Sequence, residues 1–312
     1  MTRALFLAAP CALGGSDAAD APAFRQLLLA QAEQQHGAHL RQASHFVRLA
    51  VLGALASARE AQLPPAGGVY LGTALGDLQS AAALFRQAAA GSGRPSPFDF
   101  VNVNNNTAAY YIARIAGLVG PNLTVTQGLF SFEWALRLAL AQVRADGIPL
   151  LVGGVDEIGL APVDQARRFQ YPAGFRAGEG SGWVVVTVAR ERACAQVLHL
   201  SWGARVGAED WLTHVHRECA RVAPAGALTL WPGLGMTNEV LQQLRRRMPM
   251  LQVAPYLASS GAYPTVAAWS IARAVRGCPV AGVHAHMSAN AAGDTVLLLW
   301  ERLESAAGRR TP

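Results

Sequence analysis

Short apolar runs that end in glycine turns alternate along this chain with longer segments of helical period, twice over and in the same order. Strands and helices that follow one another in this way build a layered α/β body, which excludes a helix bundle or an all-β sandwich. In the first half the pattern predicts a strand over Arg3–Ala8, helices over Ala23–Gln35 and Gln42–Glu60, a strand over Gly68–Gly72 and a helix over Ser80–Ala90. "PLLVGGVDE" (Pro149–Glu157) is a buried strand running into a glycine turn, and Gly180–Arg190 and Ala195–Gly203 read as neighbouring strands. The second half repeats the theme: helix Ala208–Val222, strand Ala227–Trp231, helix Asn238–Arg247, strand Leu251–Val253, helix Val266–Val275, then strands around Gly282–His286 and Thr295–Trp300. No low-complexity linker separates the halves, so residues 1–190 and a shorter 191–312 are expected to be two copies of one theme packed as one body.

Hydrophobic residues make up 52% of the chain and charged residues only 15%, which points to apolar surface buried in an interface as well as in the core. An oligomer is expected. All 26 basic residues are arginine, so lysine chemistry is excluded. A net charge of +6 suits an acidic partner, yet the arginines are scattered and Arg245–Arg247 is the one run of three, so nucleic acid is not the expected ligand. Cys11, Cys194, Cys219 and Cys278 are far apart and form no CxxC pair, which indicates neither a zinc site nor a disulfide framework and fits a reducing cytoplasm. The opening apolar run, Ala4–Ala9, is short and reads as a buried strand rather than a signal peptide. No apolar run reaches the roughly 18 residues that a membrane helix needs.

"GPNLTVTQGLFSFEWALRLAL" (Gly120–Leu140) reads as a tight turn, a short β-rich run and a long helix, an arrangement that commonly presents a reactive side chain. None is evident there. Phe130, Phe132 and Trp134 have even spacing on the helix, so they cannot all face one way and are expected mainly to pack the core. Asp156 and Glu157 are adjacent on a strand and point to opposite faces, which favours a structural turn over an acid/base pair. Glu179 belongs to a glycine turn, "AGEGSG". His214 and His216, two apart on a helix, are expected at the surface, and His36, His39 and His45 in solvated helix and loop positions. His284 and His286 share a strand face, a geometry that permits a metal pair but lacks a third ligand.

Several stretches together resemble the β-ketoacyl synthases of the thiolase-like superfamily: Val69–Phe85, Asn104–Gly128, Leu150–Gly159 and Phe175–Arg190, in the family's order and through nearly the whole chain. The resemblance implies a thiolase-like five-layer αβαβα fold made of two similar halves. It also implies where the chemistry would sit, and there the chain departs from the family. Leu129 occupies the elbow cysteine's place, Pro232 that of the first histidine, in "WPGLGMTNE", and Ala258 that of the second, in "YLASSGAYPT". The family's lysine is absent too. Leucine cannot form an acyl thioester, so the covalent step is excluded at that position. Such a chain resembles the chain length factors, whose implied role is to complete a heterodimer with an active synthase and shape the tunnel for an acyl or polyketide chain. That implies two partners, a catalytic synthase subunit and an acidic acyl carrier protein, and no cofactor, in a type II polyketide, aryl polyene or specialised fatty acid pathway. Asn104, Thr107 and Tyr111 would cross the dimer seam, with Phe130 beside the tunnel; helix capping and core packing are the plain alternatives. Two other functions stay open: a ketosynthase-fold enzyme using Ser131, Ser259 or Ser260 for acyl transfer or thioester hydrolysis, and an inert homodimeric scaffold that binds the carrier protein.

Overall fold

The computed structural model describes residues 3–17, 21–91, 97–159, 162–169, 171, 174–224, 227–277 and 282–303. Its first half runs β1 (Leu5–Asp17), α1 (Ala21–Leu40), α2 (His45–Ala61), β2 (Gly68–Gly72), α3 (Leu78–Ala89), α4 (Pro97–Asn102), α5 (Thr107–Ala116), β3 (Asn122–Val125), α6 (Ser131–Asp146), β4 (Leu150–Asp156), α7 (Pro162–Phe169) and β5 (Gly178–Thr187). The second runs β6 (Ala193–Gly203), α8 (Ala208–Val222), β7 (Leu228–Pro232), α9 (Asn238–Arg247), β8 (Leu251–Val253), α10 (Leu257–Ser260), α11 (Val266–Gly277), β9 (Gly282–Ala289) and β10 (Thr295–Arg302).

The strands form one sheet in the order β3-β2-β4-β5-β1-β6-β10-β9-β7-β8. β2 pairs in parallel with β3 and β4, while β4–β5 and β5–β1 are antiparallel. β7 pairs in parallel with β8 and β9, while β9–β10 and β10–β6 are antiparallel. Strands one to five and six to ten therefore repeat the same order and the same sense of pairing, and the β1–β6 ladder joins them.

Three apolar clusters separate the layers. The first packs Phe46, Leu49, Leu52 and Ile112 of α2 and α5 on one face of the first five strands. The second buries Phe132, Leu136, Ile271 and Val275 of α6 and α11 between Leu7, Val184 and Val186 on one side and Leu298 and Trp300 on the other. The third sets Trp211, Val215 and Leu244 of α8 and α9 against Leu230, Met287 and Leu299. The result is a five-layer αβαβα body with α6 and α11 in the middle layer. Glycines make this layer possible. A Cβ at Gly72 would lie 2.6 Å from the Phe132 backbone, and one at Gly182 would lie 2.2 Å from that of Ala268, so the central helices touch the sheet only because those strands carry no side chain there.

The first strand continues to Asp17 rather than ending at Ala8. Pro10 cannot donate to a ladder, and it is accommodated by a bulge: the register with β5 shifts between Ala8 and Cys11, and the pairing with β6 ends at Ala8. The first helix is longer than its periodicity predicts and is kinked at His36, whose φ/ψ of −144°/26° is not helical. Among the described residues no helix is long and apolar enough to cross a membrane.

Candidate functional site

The chain turns sharply from β3 into α6. Gly128 takes φ +57°, and Gly128–Phe130 forms a single 3-10 turn before the helix. Ser131 holds this elbow: its Oγ accepts from the Gln127 N–H and donates to the Gly128 carbonyl, both at 2.8 Å. The repeat places a counterpart after β8, where α10 and Gly261 (φ +65°) lead into α11. Asp156 ties the two together. Fully buried at the end of β4, it accepts from Thr73 Oγ1 (2.9 Å), the Ala74 and Leu75 N–H groups (2.9 and 3.1 Å) and the N–H of Thr265 at the start of α11 (3.1 Å). Burial nevertheless outweighs these bonds and raises its pKa to about 6. Glu157 faces elsewhere and accepts from the Gln79 N–H, so the two acids form no catalytic pair.

Leu129 is half-buried at the elbow and packs on a cluster formed by Leu234, Tyr256, Leu257, Ala262, Tyr263, Val266 and Trp269, with Trp231 and Phe175 at its border. Trp231 and Tyr256 lie 6.4 Å apart, as do Tyr256 and Trp269. Pro232 ends β7 beside Trp231, half-buried, and the Gly233 N–H that follows bonds to the Met287 carbonyl at 2.7 Å. Ala258 is exposed on α10 and does not reach the cluster; the buried small residue on that side is Ala262, whose N–H and carbonyl bond to Arg176 and Gly178. The turn thus sets Leu129 against a mixed aliphatic and aromatic cluster. Burial holds the Tyr256 and Tyr263 phenols far above their ordinary pKa, so they stay neutral and cannot serve as bases.

None of the three serines named from the sequence, Ser131, Ser259 and Ser260, is set up to act as a nucleophile. Ser131 donates to Gly128, Ser259 to the Tyr256 carbonyl and Ser260 to the Gly261 carbonyl, so each hydroxyl proton points to the backbone rather than to a base. Burial pushes the Cys11, Cys194 and Cys219 thiols up, Cys219 to about 12, and Cys278 lies outside the described residues.

The remaining residues fall as follows. Asn104 is exposed; Thr107 is buried, its Oγ1 donating to the Val101 carbonyl at 2.6 Å; Tyr111 packs half-buried against the first apolar cluster, edge-on to the exposed Tyr110. Phe130 and Phe132 are buried, whereas Trp134 turns outward beneath the Arg137 guanidinium, which also covers Trp202. Two histidines differ from expectation. His214 is half-buried, bonded to Ser201 Oγ at 2.9 Å and stacked on Trp211, because β6 faces α8 there. His45 pairs with the buried Glu179 at 3.0 Å, and Arg25 reaches the same carboxylate at 2.7 Å. Burial opposes the charge of Glu179, but His45 and Arg25 outweigh it and hold its pKa at about 2. His284 and His286 are both fully buried. His284 accepts from Trp231 Nε1 at 3.3 Å and stacks on Trp300; His286 bonds to Ser288 Oγ at 2.8 Å and lies 3.5 Å from Glu133 on α6. Among the described residues no three metal-ligating side chains converge. The ring cluster and the buried Glu133–His286 pair were not anticipated.

No family model and no curated relative matches the sequence. Solved structures do. The ishigamide ketosynthase/chain length factor superposes with a TM-score of 0.68 at 18% identity over 96% of this chain and 100% of its own. The AntDE ketosynthase, a type II polyketide synthase solved with the acyl carrier protein AntF and bound to a hexaketide, gives 0.73 at 10% identity over 97% and 100%. A β-ketoacyl synthase from Burkholderia phymatum gives 0.70 at 13% identity over 97% and 100%. This chain has the thiolase-like fold of the ketosynthases and chain length factors.

Proposed function

We propose that this chain is a non-catalytic, chain-length-factor-like partner of a β-ketoacyl-acyl carrier protein synthase, forming a heterodimer in which it contributes surface and tunnel shape rather than chemistry. One observation supports the reading: the turn from β3 into α6 keeps its glycine and its helix, while the residue that the resemblance assigns to the nucleophile's position is Leu129, packed against an apolar cluster rather than beside a base. Retained architecture without a thiolate or an imidazole is what a partner subunit needs and an acyl-transferase cannot use.

The first edge of the sheet supports a protein partner. Among the described residues β3 has β2 as its one neighbour; Leu123 on β3 is exposed, as are Tyr110 on α5, Phe100 on α4 and Phe85 on α3. An open edge beside exposed large apolar side chains is a surface that a second chain covers. The arginine-only positive charge is compatible with an acidic carrier protein, and a polyketide, aryl polyene or specialised fatty acid pathway is the natural setting. Asn104, Thr107 and Tyr111 would stand near the seam, with Phe130 at the elbow.

Co-expression with a cysteine-bearing synthase from the same source, purification through a tag on one subunit, and a malonyl-dependent elongation assay test the proposal. A one-to-one complex whose elongation requires this chain is the expected result. A lone homodimer that leaves elongation unchanged overturns it and favours the scaffold; turnover by the isolated chain that is lost on Ser131→Ala, Ser259→Ala or Ser260→Ala favours the enzyme.

A further inference from the structure

We infer that the cavity between the break in α1, the C-terminal end of α2 and the end of α5 is a binding site for a small aliphatic carboxylate. Its volume is about 240 Å³, less than the roughly 300–1,000 Å³ of sites for drug-sized molecules, so it fits a compact ligand. Leu55 and Ala58 of α2, Ile115 and Ala116 of α5, and Leu63 and Leu118 just beyond those helices give it an aliphatic lining. Leu55, Ala58 and Leu118 are buried, but Leu63, Ile115 and Ala116 are only half-buried. Part of the apolar wall therefore stays open, and a short hydrocarbon tail laid against it removes that surface from water.

The polar part of the lining selects an anion. It consists of His36, where α1 leaves helical geometry, Arg59 in the last turn of α2, and Gln62, which caps that helix. The Arg59 guanidinium is exposed and has no hydrogen bond, ion pair or ring contact among the described residues. Burial lowers the His36 pKa, and the neighbouring Arg59 and His39 lower it further, so His36 adds a neutral N–H donor beside the guanidinium. Among the described residues no carboxylate lines the cavity. The two acids closest in sequence serve other cations: Glu60 pairs with Arg276, and Glu33 lies near enough to Arg48 to favour its charge. Gln62 is held by Arg192, which donates to its Oε1. A ligand seated on the apolar wall therefore meets one unpaired guanidinium, and a carboxylate is the group that can take two parallel N–H bonds from it. Binding here involves the isolated chain and stands apart from the heterodimer proposal.

Ligand-observed NMR titration of the purified chain with hexanoate, with neutral hexanamide and with inorganic phosphate tests the site. Saturable binding of hexanoate is expected, with the amide, which lacks the charge, and phosphate, which lacks the tail, each about tenfold weaker. Arg59→Gln, an exposed substitution whose fold is verified by an unchanged circular dichroism spectrum, is expected to weaken hexanoate about tenfold and leave hexanamide unaffected. Ala116→Leu, checked in the same way, fills the cavity from its half-buried rim and is expected to abolish binding of both. Absence of saturable hexanoate binding, hexanoate binding that either substitution leaves unchanged, or phosphate binding as tight as that of hexanoate overturns the inference.

Discussion

Glu157 is a carboxyl group whose burial opposes its ionisation, and its replacement by glutamine is expected to stabilise the chain in a pH-dependent way. The residue is 1% exposed, and burial, then the Asp77 carboxylate, raise its pKa to about 8 against the partial relief given by the Gln79 N–H and Arg25. Below about pH 4.5 the group is protonated in both folded and unfolded chains and contributes nothing to the pH dependence. Between about pH 4.5 and 8 the unfolded chain releases the proton and the folded chain keeps it, so stability falls as pH rises. Each pH unit in that window costs about 1.4 kcal/mol, so by pH 7 the loss from this group is about 3 kcal/mol. Glutamine retains the oxygen that accepts from Gln79 and has no proton to lose. Glu157→Gln is therefore expected to match the parent near pH 4.5 and to exceed it by about 3 kcal/mol at pH 7, about 5 °C in Tm for a chain of this size. Thermal melts of both proteins across pH 4.5 to 8 measure the difference. A gap that does not widen with pH, or a variant less stable at pH 7, refutes the reasoning.

Gly182→Ala places a methyl 2.2 Å from the Ala268 backbone and is expected to lower stability by about 3 kcal/mol in urea unfolding, since α11 must move off the sheet. Leu129→Cys is expected to create a thiol that iodoacetamide labels, yet no malonyl decarboxylation, because Pro232 and Ala258 supply no imidazole; measurable decarboxylation would contradict the assignment. Ser131→Ala is expected to cost about 1 kcal/mol by leaving the Gln127 N–H without its acceptor, with elongation in the complex unchanged. Arg25→Met is expected to move acid unfolding to higher pH: the lowered pKa of Glu179 gives stability above about pH 4.5 that is lost as pH falls toward 2, and removing Arg25 narrows that window.

The layered fold was legible because it is written in local terms. Strand runs such as Leu150–Asp156 are buried end to end, and helices such as His45–Ala61 carry their cap, Ser44, in sequence. That Leu129 itself cannot act as a nucleophile was legible too, since it is a matter of residue type. What packs beside Leu129 was not legible, because it is assembled from residues that are distant along the chain. Trp231 lies next to the end of one strand, Tyr256 follows another and Trp269 lies on a helix, and the parallel pairing of β7 with β8 and β9 brings the three rings together. The same holds for Glu133 and His286, which are 3.5 Å apart across the middle layer but belong to different halves of the repeat. His45 likewise gave no sign of its role, because its partner Glu179 sits in a glycine-rich strand that reads as a turn. Pairings of this kind depend on register and on how closely a helix can approach a glycine, and neither quantity is carried by hydrophobic period. The glycines that seat α6 and α11 against the sheet preserve the middle layer whatever side chain stands at position 129, because that close approach depends on the missing Cβ of Gly72 and Gly182 and not on the residue at the turn.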